Sequence, residues 1–223
     1  MNLEPETLNS PIVIAIDGPS ASGKSTNARL IAKALGYAYV DTGAMFRAFA
    51  WSCLKRGVDV HAPAAVIAAL RDWNATLECV DGQVRLLVDG YFPEKEIRTA
   101  ETSAAASSIA AVAEVRAWMK EAQRSCVKFG DLVMEGRDIG THIFPETPIK
   151  FYLDASAEER SQRREAEGVK DDLAARDKRD STRAVAPLTV ATGAIVINNA
   201  GETPQQTSER MLVEIRRLLE ERK

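Results

Sequence analysis

Hydrophobic residues recur along this chain in two rhythms, and where one gives way to the other an element ends. The run "PIVIAI" (11–16) is short, rich in β-branched residues and bounded by Gly18, so it predicts a strand over Ile12–Ile16. Apolar spacing by three and four follows in "NARLIAKALG", predicting a helix over about Lys24–Leu35 that stops at Gly36. "YAYV" (37–40) is again a strand, and "DTGAMFRAFAWSCLKRG" opens on Asp41 or Thr42 as helix N-cap and ends near Gly57. Helical spacing also covers "PAAVIAALRDW" (63–73) and an alanine-rich region of about 100–126. "DLVMEG" and "IKFYLD" are unbroken apolar runs, suited to strands covered on both faces of a parallel sheet, and "AIVIN" supplies a last strand. Thr203-Pro204-x-Gln206 carries a capping signature ahead of a helix whose apolar face is Met211, Leu212, Ile215, Leu218 and Leu219.

One stretch breaks the series. "ATLECV" and "QVRLLV" alternate with period two and are joined by Asp81-Gly82, a strong hairpin signal. An antiparallel hairpin inside a strand–helix–strand series predicts a small inserted lobe over about 62–97. The remaining five apolar strands, separated by helical segments, predict a parallel α/β sandwich. The charged stretch "AEERSQRREAEGVKDDLAARDKRDSTR" (157–183) is expected to be helical and mobile. No internal repeat or low-complexity segment occurs.

Composition narrows the function classes. The chain has 223 residues, 45% hydrophobic and 27% charged, enough for one sizeable core. A net charge of −3 gives no global field for a nucleic-acid polymer, so an anionic ligand must meet a local arginine cluster. No apolar run approaches the ~20 residues of a spanning helix, and "MNLEPETLNS" lacks the parts of a signal peptide. Three scattered cysteines and two distant histidines, His61 and His142, argue against a disulfide framework or a metal cluster, and a cytoplasmic setting is expected.

The most specific chemistry is "GPSASGKST" (18–26), placed between strand and helix. Gly18 and Gly23 permit a backbone path that turns N–H groups inward, with a helix N-terminus behind them. Lys24 can then reach the β and γ phosphates of a nucleoside triphosphate, and Ser25 a magnesium ion. The whole of Gly18, Pro19, Ser20, Ala21, Ser22, Gly23, Lys24, Ser25 and Thr26 is therefore assigned to the ATP site. No guanine-reading Asn-Lys-x-Asp element follows. Four stretches place arginine beside acidic or loop-forming residues: "DTGAMFR", "EVR", "EGRDIGT" and "RDKRDSTR". Loops at the carboxyl ends of parallel strands share one crevice, where arginine forks can grip phosphate oxygens bidentately.

"IAIDGPSASGKST", "DTGAMFR", "EIRT", "VMEGRDIGTHIFP", "IKFYLDASAEERSQRR" and "RDKRDSTRAVAPL", in this order, resemble the bacterial-type cytidylate kinases. The similarity runs from about Ile12 to the last helix. It implies a P-loop NTPase-type three-layer α/β sandwich with a five-stranded parallel sheet, a lid over about 158–183 and an inserted α/β monophosphate-binding lobe over about 62–99. The core would be residues 11–61 and 100–223 of a single kinase domain. The implied activity is magnesium-dependent phosphoryl transfer from ATP to CMP or dCMP by a monomer. Lys24, Arg137 and Arg183 would be catalytic, with Arg47, Arg137 and Arg183 gripping the acceptor phosphate. Ser107, Arg116 and Asp138 would face the cytosine edge, and Thr42, Arg176 and Asp180 the sugar and its phosphate. Arg160 and Arg164 would close over ATP, with Arg163 as the competing lid arginine, and Ser25 would bind magnesium with Glu135 acting through water. Glu135 stands where many members carry aspartate, and the segment from Arg164 to Arg176 is shorter than theirs.

Other readings stay open at this level. Arg47 fits a surface ion pair, and the charge runs fit solvated helix faces. Asp138 suits a turn, while Trp51, Trp73 and Trp118 suit packing. A kinase of UMP, AMP or shikimate, or a nucleotide-dependent switch without an acceptor, would share the phosphate loop.

Overall fold

The computed structural model describes residues 10–166 and 173–221. Its strands are β1 (Val13–Asp17), β2 (Ala38–Asp41), β3 (Ala75–Val80), β4 (Gln83–Val88), β5 (Leu132–Gly136), β6 (Ile149–Asp154) and β7 (Ile195–Asn198). The helices are α1 (Lys24–Leu35), α2 (Thr42–Lys55), α3 (Pro63–Arg71), α4 (Ala100–Ile109), α5 (Ala113–Arg124), α6 (Ala157–Ala166), α7 (Leu173–Thr182) and α8 (Pro204–Glu220). No helix among the described residues is long and apolar enough to cross a membrane.

All seven strands form one sheet in the order β3-β4-β2-β5-β1-β6-β7. The five strands expected from apolar runs are its contiguous parallel part, β2-β5-β1-β6-β7. The expected count of five is corrected to seven, because the hairpin does not stand apart. β4 pairs in parallel with β2 at Tyr39–Gln83 and Val40–Val84, leaving β3 as the antiparallel edge. That pairing joins segments over forty residues apart, which local periodicity does not encode. The turn itself follows its sequence signal: Asp81 and Gly82 have φ of 51° and 72°, the sign a two-residue hairpin turn needs at both positions.

Alternate residues of the central strands enter two cores. Val13, Ala15, Leu132 and Met134 face α2, α4 and α5, whereas Ile14, Ile16 and Val133 face α1 and α8. Both faces are covered, so β1 and β5 read as unbroken apolar runs. Trp73 stacks between Phe49 and Trp118, at 4.6 and 4.7 Å between centroids, and ties the α3 segment to α2 and α5. The helical region of 100–126 is two helices, because the chain turns at Ala110–Val112. Thr203 and Gln206 complete a capping box on α8, which buries Met211 and Ile215.

This topology puts five chain segments at one sheet edge. Gly18–Gly23, Thr42, Arg137-Asp138, Ala155 and Asn199 all follow the carboxyl ends of parallel strands, where doubly wound sheets hold their ligands.

Candidate active site

The phosphate loop begins where β1 ends. A side chain at Gly18 (φ 149°) would lie 2.1 Å from the Leu153 carbonyl oxygen on β6, so only glycine passes there. Gly23 (φ 89°) then turns the chain into α1. Lys24 is buried and donates from Nζ to the Pro19 carbonyl at 2.5 Å, curling back over the loop. Ser25 Oγ donates to Glu135 Oε1 at 2.6 Å, which brings the first turn of α1 against the end of β5. The Tyr39 hydroxyl approaches the same oxygen at 3.4 Å.

The other side of the cleft is a chain of ion pairs. Asp41 caps α2 at the Ala44 N–H, 2.7 Å, and holds Arg47 at 3.1 Å. Asp138 pairs tightly with Arg116 of α5 and lies 3.9 Å from Arg183. Arg183 is also 3.7 Å from Asp180, whose other oxygen accepts from Arg137 Nε at 2.9 Å. Arg116, Arg137, Asp138, Asp180 and Arg183 thus form one network drawn from β5 and its following turn, α5, and α7 and its end. Within it Arg183 Nη2 has no hydrogen-bond partner, and neither has the nearby buried Ser107 Oγ of α4. Both residues line the cleft, and such groups are costly unless a ligand completes them.

Burial works against these charges, and partners decide the outcome. Desolvation raises Asp17 to about 6, although its two oxygens accept the Ile139 and Gly140 N–H groups at 2.8 Å each. Burial likewise raises Glu135, with Asp41 adding like-charge repulsion. For Asp41 burial is outweighed by Arg47 and the Ala44 N–H, which hold the carboxyl below its usual range. Burial opposes the charge on Arg137, yet Asp180 and Glu135 raise it; burial and neighbouring Arg116 lower Arg183.

A cleft of about 1170 Å³ joins the two sides. Of the residues singled out from sequence, Ser20, Ala21, Gly23, Lys24, Ser25 and Thr26 line it on the side of the phosphate loop. Thr42, Arg47, Ser107, Arg116, Glu135, Arg137, Asp138, Asp180 and Arg183 line the rest. Gly18, Pro19 and Ser22 lie behind the loop surface, all three buried. Arg163 and Arg164 face the cleft. Arg160 stands behind, donating to the Ser20 and Ala155 carbonyls at 3.2 Å and to Asp177 at 2.5 Å. Arg176 falls in α7, but its side chain, like residues 167–172 of the expected lid, is outside the described residues. Sequence reasoning gave no role to Asp17, Arg98 or Asn199, which brace or line the same cleft. Asp17 precedes the glycine motif directly, and Asn199 follows the last strand as the phosphate loop follows the first; those positions are the signal that was there to use.

A parallel sheet with a phosphate loop at its carboxyl edge, facing an arginine network across one cleft, defines a phosphate-loop protein with room for a second anionic ligand. The cytidylate kinase family model matches residues 14–217, and the chain belongs to that family. It is 41% identical to the cytidylate kinase of Symbiobacterium thermophilum over 92% of this chain and 96% of that relative. The cytidylate kinases of Anoxybacillus flavithermus and Clostridioides difficile are each 39% identical over 92% of this chain, and over 96% and 98% of their own lengths.

Proposed function

We propose that this chain transfers the γ-phosphoryl group of ATP to CMP and dCMP, giving ADP with CDP or dCDP. The observation that carries this reading is the arginine network of Arg116, Arg137 and Arg183 facing the phosphate loop across one cleft, with one guanidinium nitrogen of Arg183 that has no hydrogen-bond partner. Family membership supports the same reaction.

An acceptor-phosphate oxygen attacks the γ-phosphorus, and the bond from that phosphorus to the β–γ bridging oxygen breaks. The nucleophile is already anionic, so catalysis rests on positioning and charge neutralisation rather than on a dedicated base. Lys24 leaves the Pro19 carbonyl for the β and γ phosphates, and Arg47, Arg137 and Arg183 hold the acceptor phosphate. Magnesium held with the donor would supply neutralisation of the phosphate charge. Ser25 Oγ and Glu135, 2.6 Å apart, are the oxygen ligands that would hold it. Arg164 covers the donor from α6.

The base is read by a donor beside an acceptor. Arg116 offers N–H groups and Asp138 offers carboxylate oxygens from one tight pair. Cytosine presents acceptors at O2 and N3 and a donor at its exocyclic amine, which complements that pair; uracil reverses the last two. Ser107 Oγ adds a free hydroxyl at the same end, and Thr42, Arg176 and Asp180 take the sugar side. The enzyme works as a monomer in the cytoplasm, with residues 62–99 as the acceptor lobe and 158–183 as the lid.

The test is ADP release with CMP, dCMP, UMP, AMP and shikimate as acceptors. Turnover that requires CMP or dCMP, with kcat/KM for CMP roughly a hundredfold above UMP, is the expected result. Slow ADP release indifferent to acceptor would identify a nucleotide switch instead.

A further inference from the structure

Five consecutive carbonyl groups of the phosphate loop each accept a hydrogen bond from a side-chain nitrogen. Pro19 is met by Lys24 at 2.5 Å, Ser20 by Arg160 at 3.2 Å and Ala21 by Arg163 at 3.4 Å. Ser22 is met by Asn199 Nδ2 at 2.9 Å and Gly23 by Asn27 Nδ2 at 2.9 Å. The donors come from three separate places: α1, α6 and the residue after β7. The last is joined to its loop partner across 177 positions of sequence. Arg163 and Asn199 are also bonded to each other, since both terminal nitrogens of Arg163 reach Asn199 Oδ1 at 3.3 Å. Asn199 is buried, 3% exposed, and both its amide nitrogen and its amide oxygen are hydrogen-bonded. In front of Gly23, Asn199 Nδ2 and Arg163 Nη1 lie 3.2 and 3.6 Å from where a Cβ would stand.

Holding a carbonyl in place fixes the direction of the N–H in the same planar peptide unit. Backbone N–H groups turned inward are what a phosphate loop offers an anion. We infer that Asn199 and Arg163 are positioning residues for the donor site, fixing the Ser22 and Ala21 carbonyls so that the loop keeps its phosphate-binding conformation. The inference rests on the donor-site reading above. Because Arg163 belongs to α6, the same contacts let the position of that helix set the shape of the loop.

Two Asn199 variants separate this role from simple packing. Asn199→Leu keeps the branched shape and removes the side-chain bonds to Ser22 and Arg163. Asn199→Asp is isosteric, keeps an oxygen for Arg163 and places a carboxylate against the Ser22 carbonyl. In each, the dissociation constant of a fluorescent ATP analogue rises about five- to tenfold, in line with the loss of a buried hydrogen bond. KM for ATP rises alongside it, while KM for CMP stays at the wild-type value. Arg163→Ala weakens the analogue similarly, and combining it with Asn199→Leu weakens binding by less than the product of the two losses. Wild-type affinity in Asn199→Asp, or an equal loss for donor and acceptor, would overturn the inference while leaving the donor site standing. A wild-type chain that bound no ATP analogue would overturn both.

Discussion

The side of the cleft that we assign to the donor is made largely of backbone, and the side assigned to the acceptor of charged side chains. At the donor side one contiguous loop supplies N–H groups, a lysine and a serine, and neighbouring side chains merely hold its carbonyls. At the acceptor side, residues 41, 47, 116, 137, 138, 180 and 183 converge from four parts of the chain and hold one another by ion pairs. A triphosphate tail is the same in every nucleotide, so a rigid backbone cradle suffices. A particular nucleobase and sugar must be told from near copies, which requires side chains whose donors and acceptors can be arranged one by one.

The largest effect tests whether the donor side depends on the charge that Lys24 brings to the loop. Lys24→Ala should lower kcat by roughly a thousandfold, the scale of a lost transition-state contact, while the thermal midpoint stays near wild type. Near-normal turnover would remove the cradle from the mechanism.

The second concerns Asp17, which joins the two sides by tying the end of β1 to the turn after Asp138. Burial raises its folded pKa to about 6 against an ordinary value of 3.8; Asp138 raises it further, and Lys24 and the Ile139 and Gly140 N–H groups oppose the shift. The folded state therefore holds this proton more tightly than the unfolded chain. Its stabilising contribution is complete below pH 3.8 and is lost as pH rises through about 6. Denaturant titrations at pH 4 and pH 7 should show wild type losing up to about 3 kcal/mol that Asp17→Asn does not lose. Parallel pH profiles for the two proteins would assign the carboxylate no such role.

Third, Asp138→Ala should narrow the roughly hundredfold CMP preference over UMP to about tenfold, by removing the acceptor opposite the exocyclic amine. Measured as kcat/KM for both acceptors, an unchanged ratio would move base reading to Ser107 and Arg116. The smallest effect separates the two sides again. Thr203→Ala removes the α8 cap beside Pro204 on the donor rim and should cost about 1 kcal/mol of stability. KM for CMP should not respond; a rise there would show that the donor rim and acceptor side are mechanically linked.

The same contrast explains what the sequence made legible. Residues 12–35 form strand, turn and helix from contacts within a few positions, and the glycines, lysine and serine that mark them are consecutive. The hairpin turn at Asp81-Gly82 and the capping box at Thr203–Gln206 are local in the same way. The pairing of β4 with β2 is not, and neither is the bond from Asn199 to Ser22, so both escaped local reasoning. Individually, Arg47 and Asp180 resembled surface charges. They gain meaning only beside Asp41 and Arg137, whose proximity the fold creates. Arg160 shows the limit of reading a charge run: one turn along α6 separates an arginine behind the loop from Arg163 and Arg164 in the cleft.

Gly18 carries a consequence for sheet mechanics. With the Leu153 carbonyl so near, the space beside it is a clearance between two strands, set by the width of the gap rather than by any nucleotide. A methyl group there would act as a wedge between β1 and β6. The strain would run along β6 to Ala155, whose carbonyl anchors Arg160, and so reach α6 with no ligand bound. Hydrogen exchange in β6 would quicken in the ligand-free protein, so a glycine that belongs to a phosphate motif would announce its loss first as a loosened seam in the sheet.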